Sequence, residues 1–124
     1  MKNSFEDLEV WKKCREVRIA IWNLSQNFPD DEKFRLSDQM IRASHSSCAN
    51  IAEGHGRFHF QENIQFCRQA RGSLYELIDH LTVAKECEFI NKKKYNKFYK
   101  NIEAAMRLTN GYIRYLKKRR DGRG

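Results

Sequence analysis

The stretch Arg42–Gly54, RASHSSCANIAEG, decides the fold of this chain. It is a long run with few charges in a charge-rich sequence, and most of it is small: Ala43, Ser44, Ser46, Ser47, Cys48, Ala49 and Ala52. Small side chains let two helix backbones approach closely. The run closes on Gly54, with Gly56 just beyond. Glycine tolerates the left-handed conformation that ends helices, so the pattern predicts a tightly packed helix with a stop near Gly54. The rest of the chain reads as helices that lean on this one.

Upstream, Val10, Cys14, Val17, Ile21, Leu24 and Phe28 recur at alternating steps of four and three. That spacing is one face of an amphipathic helix, the seam of a bundle. Ser4 with Asp7 fits an N-cap and its capping-box acid, which predicts a first helix from about Phe5 to Asn27, ended by Pro29. Trp11, Arg18 and Trp22 fall on a neighbouring stripe. Asp30, Asp31 and Glu32 suit the start of the second helix, where acids complement the dipole. Its inward face is predicted as Phe34, Ile41, Ser44, Cys48 and Ile51.

Downstream, the connector His55–His59 leads to a third helix, predicted from Phe60 or Gln61 to Glu88 and the longest of the four. Cys67, Ala70, Leu74, Leu77, Leu81 and Ala84 form its core face, widened by Ile64, Phe66 and Ile78. Gly72 lies inside this pattern and costs roughly 1 kcal/mol of helix propensity, for which close packing on the small-residue run is the expected compensation. Asn91 caps a fourth helix, with Tyr95, Phe98, Ile102, Ala105, Thr109, Tyr112 and Leu116 inward and Tyr99, Met106 and Ile113 beside them. The expected architecture is all-α: an antiparallel up-down four-helix bundle over residues 5–116, followed by a basic tail, 117–124, that frays.

Composition agrees. The chain has 124 residues, 40% hydrophobic and 32% charged, with one proline, which suits one helical domain with solvated outer faces. No window approaches the roughly 18 apolar residues of a membrane span. Met1–Asp7 holds no apolar signal segment, which predicts a cytoplasmic protein. Cys14, Cys48, Cys67 and Cys87 form no CxxC pair and read as small buried hydrophobes. His45, His55, His59 and His80 lack the paired Glu-x-x-His motifs of a di-iron bundle, and the serines around His45 show no nucleophile–base pattern. No metal, no cofactor and no enzymatic activity are expected.

The charge is unevenly placed. Residues 1–90 carry 12 Lys and Arg against 14 Asp and Glu, a net of −2; residues 91–124 carry 12 against 2, a net of +10. Lys92, Lys93, Lys94, Lys97 and Lys100 crowd the start of the fourth helix, where the dipole disfavours cations. Arg107, Arg114, Lys117, Lys118, Arg119, Arg120 and Arg123 continue the charge. This patch points to a polyanion, nucleic acid above all, held through phosphate contacts. The other reading is a solvated helix face with a soluble tail.

Several motifs resemble the bacterial four-helix-bundle family named for proteins encoded in 23S ribosomal RNA intervening sequences. Phe5, Asp7-Leu8 and Val10-Trp11 resemble its opening. Phe28-Pro29, Glu32, Phe34 and Leu36 resemble its first linker, and Gln39, Arg42-Ala43 and Asn50–Gly54 its most recognisable run. Gly56-Arg57, Ala70, Gly72-Ser73-Leu74 and Glu76-Leu77 fit its third helix. Two departures stand out: Cys48 occupies a position where proline is common, and Phe58-His59-Phe60 replaces a polar connector. The resemblance implies a left-handed bundle assembled as a ring-like homopentamer. It also implies kinship with the accessory variability determinant of diversity-generating retroelements, which binds a reverse transcriptase and nucleic acid, and it implies no enzymatic activity.

Other candidates carry two readings each. Asn50, Glu53 and Gly54 form either a polar site or a structural network, with Arg42, Arg68 and Arg71 as partners for Glu53 or Glu76. Trp11, Arg18 and Trp22 form either a subunit interface or part of the core. Tyr95, Phe98 and Tyr99 either stack on unpaired bases or, as their spacing favours for Tyr95 and Phe98, join the core.

Overall fold

The computed structural model describes residues 4–32 and 35–122. Four helices carry the chain: α1 (Glu9–Ser25), α2 (Leu36–Gly56), α3 (Phe60–Glu86) and α4 (Lys92–Arg120). Short 3-10 turns at Phe5–Asp7 and Asp30–Glu32 precede α1 and α2, and no strand occurs among the described residues. Each helix packs on two neighbours in the order α1, α2, α3, α4 and back to α1, while the diagonal pairs make no close backbone approach. The predicted inward faces of α1, α3 and α4 converge on one core, with Cys14, Ile21, Ile64, Cys67, Ala70, Leu74, Leu77, Leu81, Ile102 and Ala105 fully enclosed. Phe34, expected on the inward face of the second helix, and Arg123 of the basic tail lie outside the described residues.

The first helix is shorter than its spacing predicts. Ser4 does cap, accepting a hydrogen bond from the Glu6 amide at 3.2 Å, but the helix it caps is a 3-10 turn. Leu8 is extended (ψ 128°), and α1 starts after it. Phe5 is thereby turned edge-on to Trp11, ring centroids 5.1 Å apart. At the other end Asn27 lies beyond the helix, where the Ser25 hydroxyl and the Gln26 amide both donate to the Trp22 carbonyl.

Asp30–Glu32 do not open the second helix. They form their own turn, closed by the Glu32 amide on the Pro29 carbonyl at 2.9 Å. On the inward face of α2, Ser44, Cys48 and Ile51 are buried as predicted, and one position differs. Met40 is fully enclosed, whereas Ile41 is half-buried. Ser44 and Ser47 are buried without cost because each hydroxyl donates to the carbonyl three residues back, on Ile41 and Ser44, at 2.9 and 2.7 Å.

The glycines act differently from their expected roles. Gly54 does not stop the helix: α2 runs on to Gly56, and the left-handed residue that follows is Phe58, with φ 59°. Gly54 instead marks the close approach of α2 to α3. A Cβ there would fall 2.7 Å from Asn63 Oδ1 and 2.8 Å from Phe66 Cβ. Gly72, expected to provide that approach, faces open space. Its neighbour Ser73 makes the contact with the small-residue run, donating to Ser46 Oγ at 2.9 Å.

The C-terminal end of α3 closes on its own carbonyls. The Phe89 amide reaches the Ala84 carbonyl at 2.9 Å and the Glu88 amide the Lys85 carbonyl at 3.0 Å, with Glu88 left-handed at φ 63°. This is a Schellman closure with a glutamate in the glycine position. Phe89 then packs on Phe28, and Asn91 caps α4 by accepting from the Lys94 amide at 2.8 Å. At 29 residues α4, not α3 at 27, is the longest helix. It continues through Lys117–Arg120, which were expected to fray, because Arg120 donates to Gln61 Oε1 at 2.7 Å and the Arg119 guanidinium lies over the Phe60 ring.

Candidate nucleic-acid interface

The core of α4 is set by Ile102, Ala105, Met106, Thr109, Ile113 and Leu116. The helical repeat therefore places a second set on the opposite side: Lys93, Lys97, Lys100, Arg107, Arg114 and Lys118, all exposed. Ala104 and Gly111 fill the two gaps in this stripe. From Lys93 to Lys118 it extends about 37 Å along the helix. Glu103 pairs with Arg107 of the stripe at 3.3 Å in an exposed ion pair. Between Arg107 and Arg120 the helix carries no acidic residue.

Beside the stripe, the start of α4 and the outer side of α1 enclose a groove of about 760 Å³. Lys94, Lys97 and Lys100 line one wall, and Lys13 of α1, in contact with Glu16, lines the other. Ala20, Leu24 and Phe98 form an apolar floor, and Asn23, Asn27 and Asn101 bring amides to it. Four ammonium groups against one carboxylate make this an anion-attracting groove, with amides suited to base edges or sugar hydroxyls. Sequence spacing did not find Lys13, since it belongs to a segment whose net charge is negative.

The remaining basic residues divide. Lys92 and Lys117 lie off the stripe, Lys92 exposed and Lys117 half-buried. Arg119 and Arg120 are drawn toward α3 by Phe60 and Gln61, and Arg120 also pairs with Asp121 at 3.0 Å. Tyr95, Phe98 and Tyr99 pack against the core. Tyr95 is covered by the Lys85 ammonium at 4.1 Å, and its hydroxyl meets Thr82 Oγ1 at 3.3 Å. The exposed aromatic rings among the described residues stand elsewhere, at Trp22, Phe58, Phe60, Tyr75 and Tyr115.

The polar motif at the end of α2 is spent on local structure. Asn50 donates to the Ser46 carbonyl at 2.9 Å, and Glu53 pairs with Arg57 at 2.9 Å in a half-exposed bridge. Two of the arginines expected as partners for Glu53 and Glu76 are engaged otherwise, Arg42 with Asp38 and Arg71 with Asn110, and Glu76 meets His80. Asn63, which no motif singled out, is the residue that ties three helices. Held against Gly54, it donates to the Tyr112 hydroxyl at 3.3 Å and accepts from the Cys67 thiol at 3.5 Å. Burial raises the Tyr112 phenol above its ordinary value, and the Asn63 hydrogen bond partly offsets this.

Of the three expected interface residues, Trp11 is half-buried against Phe5 and Trp22 is 53% exposed. Trp22, Arg18, Ile19, Ile41 and His45 line an apolar groove of about 410 Å³ between α1 and α2. The thiols hold no reactive chemistry in the core. Burial pushes Cys14 and Cys67 up to about 12, Cys14 further helped by neighbouring Cys48, so both are neutral and poorly nucleophilic at pH 7. Among the described residues, no three His, Cys, Asp or Glu side chains converge as metal ligands, and no helix is long and apolar enough to cross a membrane.

The sequence model of the 23S rRNA-intervening sequence protein family matches residues 6–111. The chain belongs to that family. The matched span covers α1, α2 and α3 and most of α4, and it leaves the end of the basic stripe, Arg114 and Lys118, outside. No curated protein matches the chain. A crystal structure from Bacteroides thetaiotaomicron, described as a protein with unknown function from the S23 ribosomal protein family, is 24% identical. It superposes with a TM-score of 0.79 over 85% of this chain and 95% of that one, so the two share a fold.

Proposed function

We propose that the protein is a non-enzymatic, cytoplasmic, antiparallel up-down four-helix bundle that assembles as a homopentamer and binds nucleic acid, RNA or single-stranded DNA, through the basic face of α4. One observation carries the reading: six cations aligned over about 37 Å of a helix face that the core does not use. A face of that length and sign, with a lysine-lined groove at one end, suits a phosphate backbone, whose contacts are electrostatic and independent of sequence. The up-down order is supported by contacts that run in opposite senses on neighbouring helices: Gln61 with Arg120, Asn63 with Tyr112, and Thr82 with Tyr95. The pentamer is supported by the family resemblance and by the exposed Trp22 groove, a natural subunit contact. Five copies of the stripe would build a strong field.

The test is a binding titration on RNA and single-stranded DNA at several salt concentrations, with the solution mass measured on the same sample. Affinity that falls steeply with salt, and less steeply in Lys97→Glu/Lys100→Glu, is expected. A salt response unchanged by that substitution would rule out this face. The same basic face carries a second reading, an accessory subunit of a reverse transcriptase, in which the cations of α4 dock a protein or a protein–RNA complex. In that case free nucleic acid binds weakly and the polymerase co-purifies.

A further inference from the structure

The bundle end where α2 passes to α3 carries an unusual residue. Phe58 is 89% exposed and holds φ at 59°. A bulky side chain in the left-handed region is strained, and an exposed ring is not fixed there by packing. Gly56, two residues earlier, lies within the helix, where its conformational freedom is unused. Strain and an exposed aromatic face therefore coincide in one side chain.

Phe58 stands at the rim of a cavity of about 660 Å³. His59 lines it from the connector, Phe60 from the start of α3, and Tyr112, Tyr115 and Arg119 from α4. The Tyr112 and Tyr115 rings lie nearly parallel, 12° apart with centroids separated by 6.1 Å, and Tyr115 is 52% exposed. Arg119 lies 5.7 Å from the Phe60 centroid, so a cation is held among the rings. Asp7 is the one acid in the lining, and Arg114 and Lys118 of the stripe flank Tyr115 on α4.

We infer that this cavity receives an unstacked base of single-stranded nucleic acid, stacked on Phe58 and Tyr115, with Arg119 and Lys118 on the adjoining phosphates. The inference rests on the nucleic-acid reading above and adds a site to it. Flat aromatic faces beside fixed cations match a base with its phosphate, and stacking serves any base. The charge argues for a polyanion: Arg114, Lys118 and Arg119 stand beside the rings, against Asp7 among the described lining residues. The stripe alone holds phosphates in duplex and single strand alike; the cavity adds a preference for the single strand, because a paired base has no free face to offer.

The experiment measures binding of a labelled single strand of about twelve nucleotides and of a duplex of the same length, for wild type, Phe58→Gly and Tyr115→Ala. Phe58→Gly removes the ring while relieving the backbone, so the variant folds at least as well as wild type. Each substitution is expected to weaken the single strand at least about fivefold, leave its salt slope intact and spare the duplex. Unchanged single-strand affinity with a working stripe would overturn the base site and leave the stripe standing. Absence of any nucleic-acid binding by wild type would overturn both. A change of solution mass in Phe58→Gly would assign the rings to a contact between copies and overturn the site as well.

Discussion

Gly54 of α2 and Asn63 of α3 are so close that a methyl group on residue 54 would fall 2.7 Å from the Asn63 side-chain oxygen. That contact fixes the spacing of the two helices and orients the amide that reaches Tyr112 on α4. Gly54→Ala must therefore displace the Asn63 side chain and Phe66 Cβ. It is expected to destabilise the protein by about 2 kcal/mol, as overpacking does, measured by urea unfolding. Gly72→Ala is the contrast, because its Cβ meets nothing within 4 Å. It is expected to stabilise by roughly 0.5–1 kcal/mol through helix propensity alone. Equal effects at the two sites would refute the assignment of the close approach to Gly54.

Glu88 sits left-handed in the closure at the C-terminal end of α3. Glu88→Gly is expected to raise stability by roughly 0.5–1 kcal/mol, since glycine holds this conformation without the side-chain clash. A thermal melt checks it, and a lower midpoint would mean that the glutamate makes a contact worth more than its strain.

The buried thiols give a pH dependence with a definite sign. An unfolded thiol ionises near its ordinary 9.0, whereas folded Cys14 and Cys67 keep their protons to about 12. The unfolded chain thus releases protons first as pH rises, and the stability present below pH 9 is lost between pH 9 and 12. The loss is about 1.4 kcal/mol per pH unit for each thiol. Cys14→Ala, though weaker at neutral pH, is expected to lose stability less steeply from pH 9 to 10 in denaturant titrations. Alkylation at pH 8 gives the companion result: exposed Cys87 reacts in the native protein and the three buried thiols only on unfolding.

Within the basic segment, the stripe and the end of α4 should separate experimentally. Lys97→Ala and Lys100→Ala are each expected to reduce the single-strand salt slope by about 0.7, with stability unchanged within about 0.5 kcal/mol. Arg120→Ala, which releases Gln61, is expected to fray the last turn of α4 in hydrogen exchange while altering the slope less. The reverse ranking would move the interface to the helix end.

Trp22→Glu tests self-assembly. The side chain is 53% exposed, so a charge there costs the lone subunit little. If the apolar groove holds subunits together, the mass in solution falls toward one chain; an unchanged mass would place the contact on another face.

Read alone, the sequence determined the four helices and most of the core. Recurrence every three or four residues is a local property, and the side chains that satisfy it in α1, α3 and α4 have nowhere else to go. It also located the charge, because net charge is a sum over residues. The tertiary structure decided everything that depends on residues distant in the chain. It moved the close approach from Gly72 to Gly54, since a glycine's role depends on what lies across from it. It set Met40 rather than Ile41 against the core, while Ser44, Cys48 and Ile51 are buried as their spacing predicts. It ordered the end of α4 through Gln61 and Phe60, and it brought Lys13 and Asn63 into view, two residues with no motif of their own. It also set exposed Phe58 beside Tyr112 and Tyr115, some 55 positions later in the chain, around one cavity.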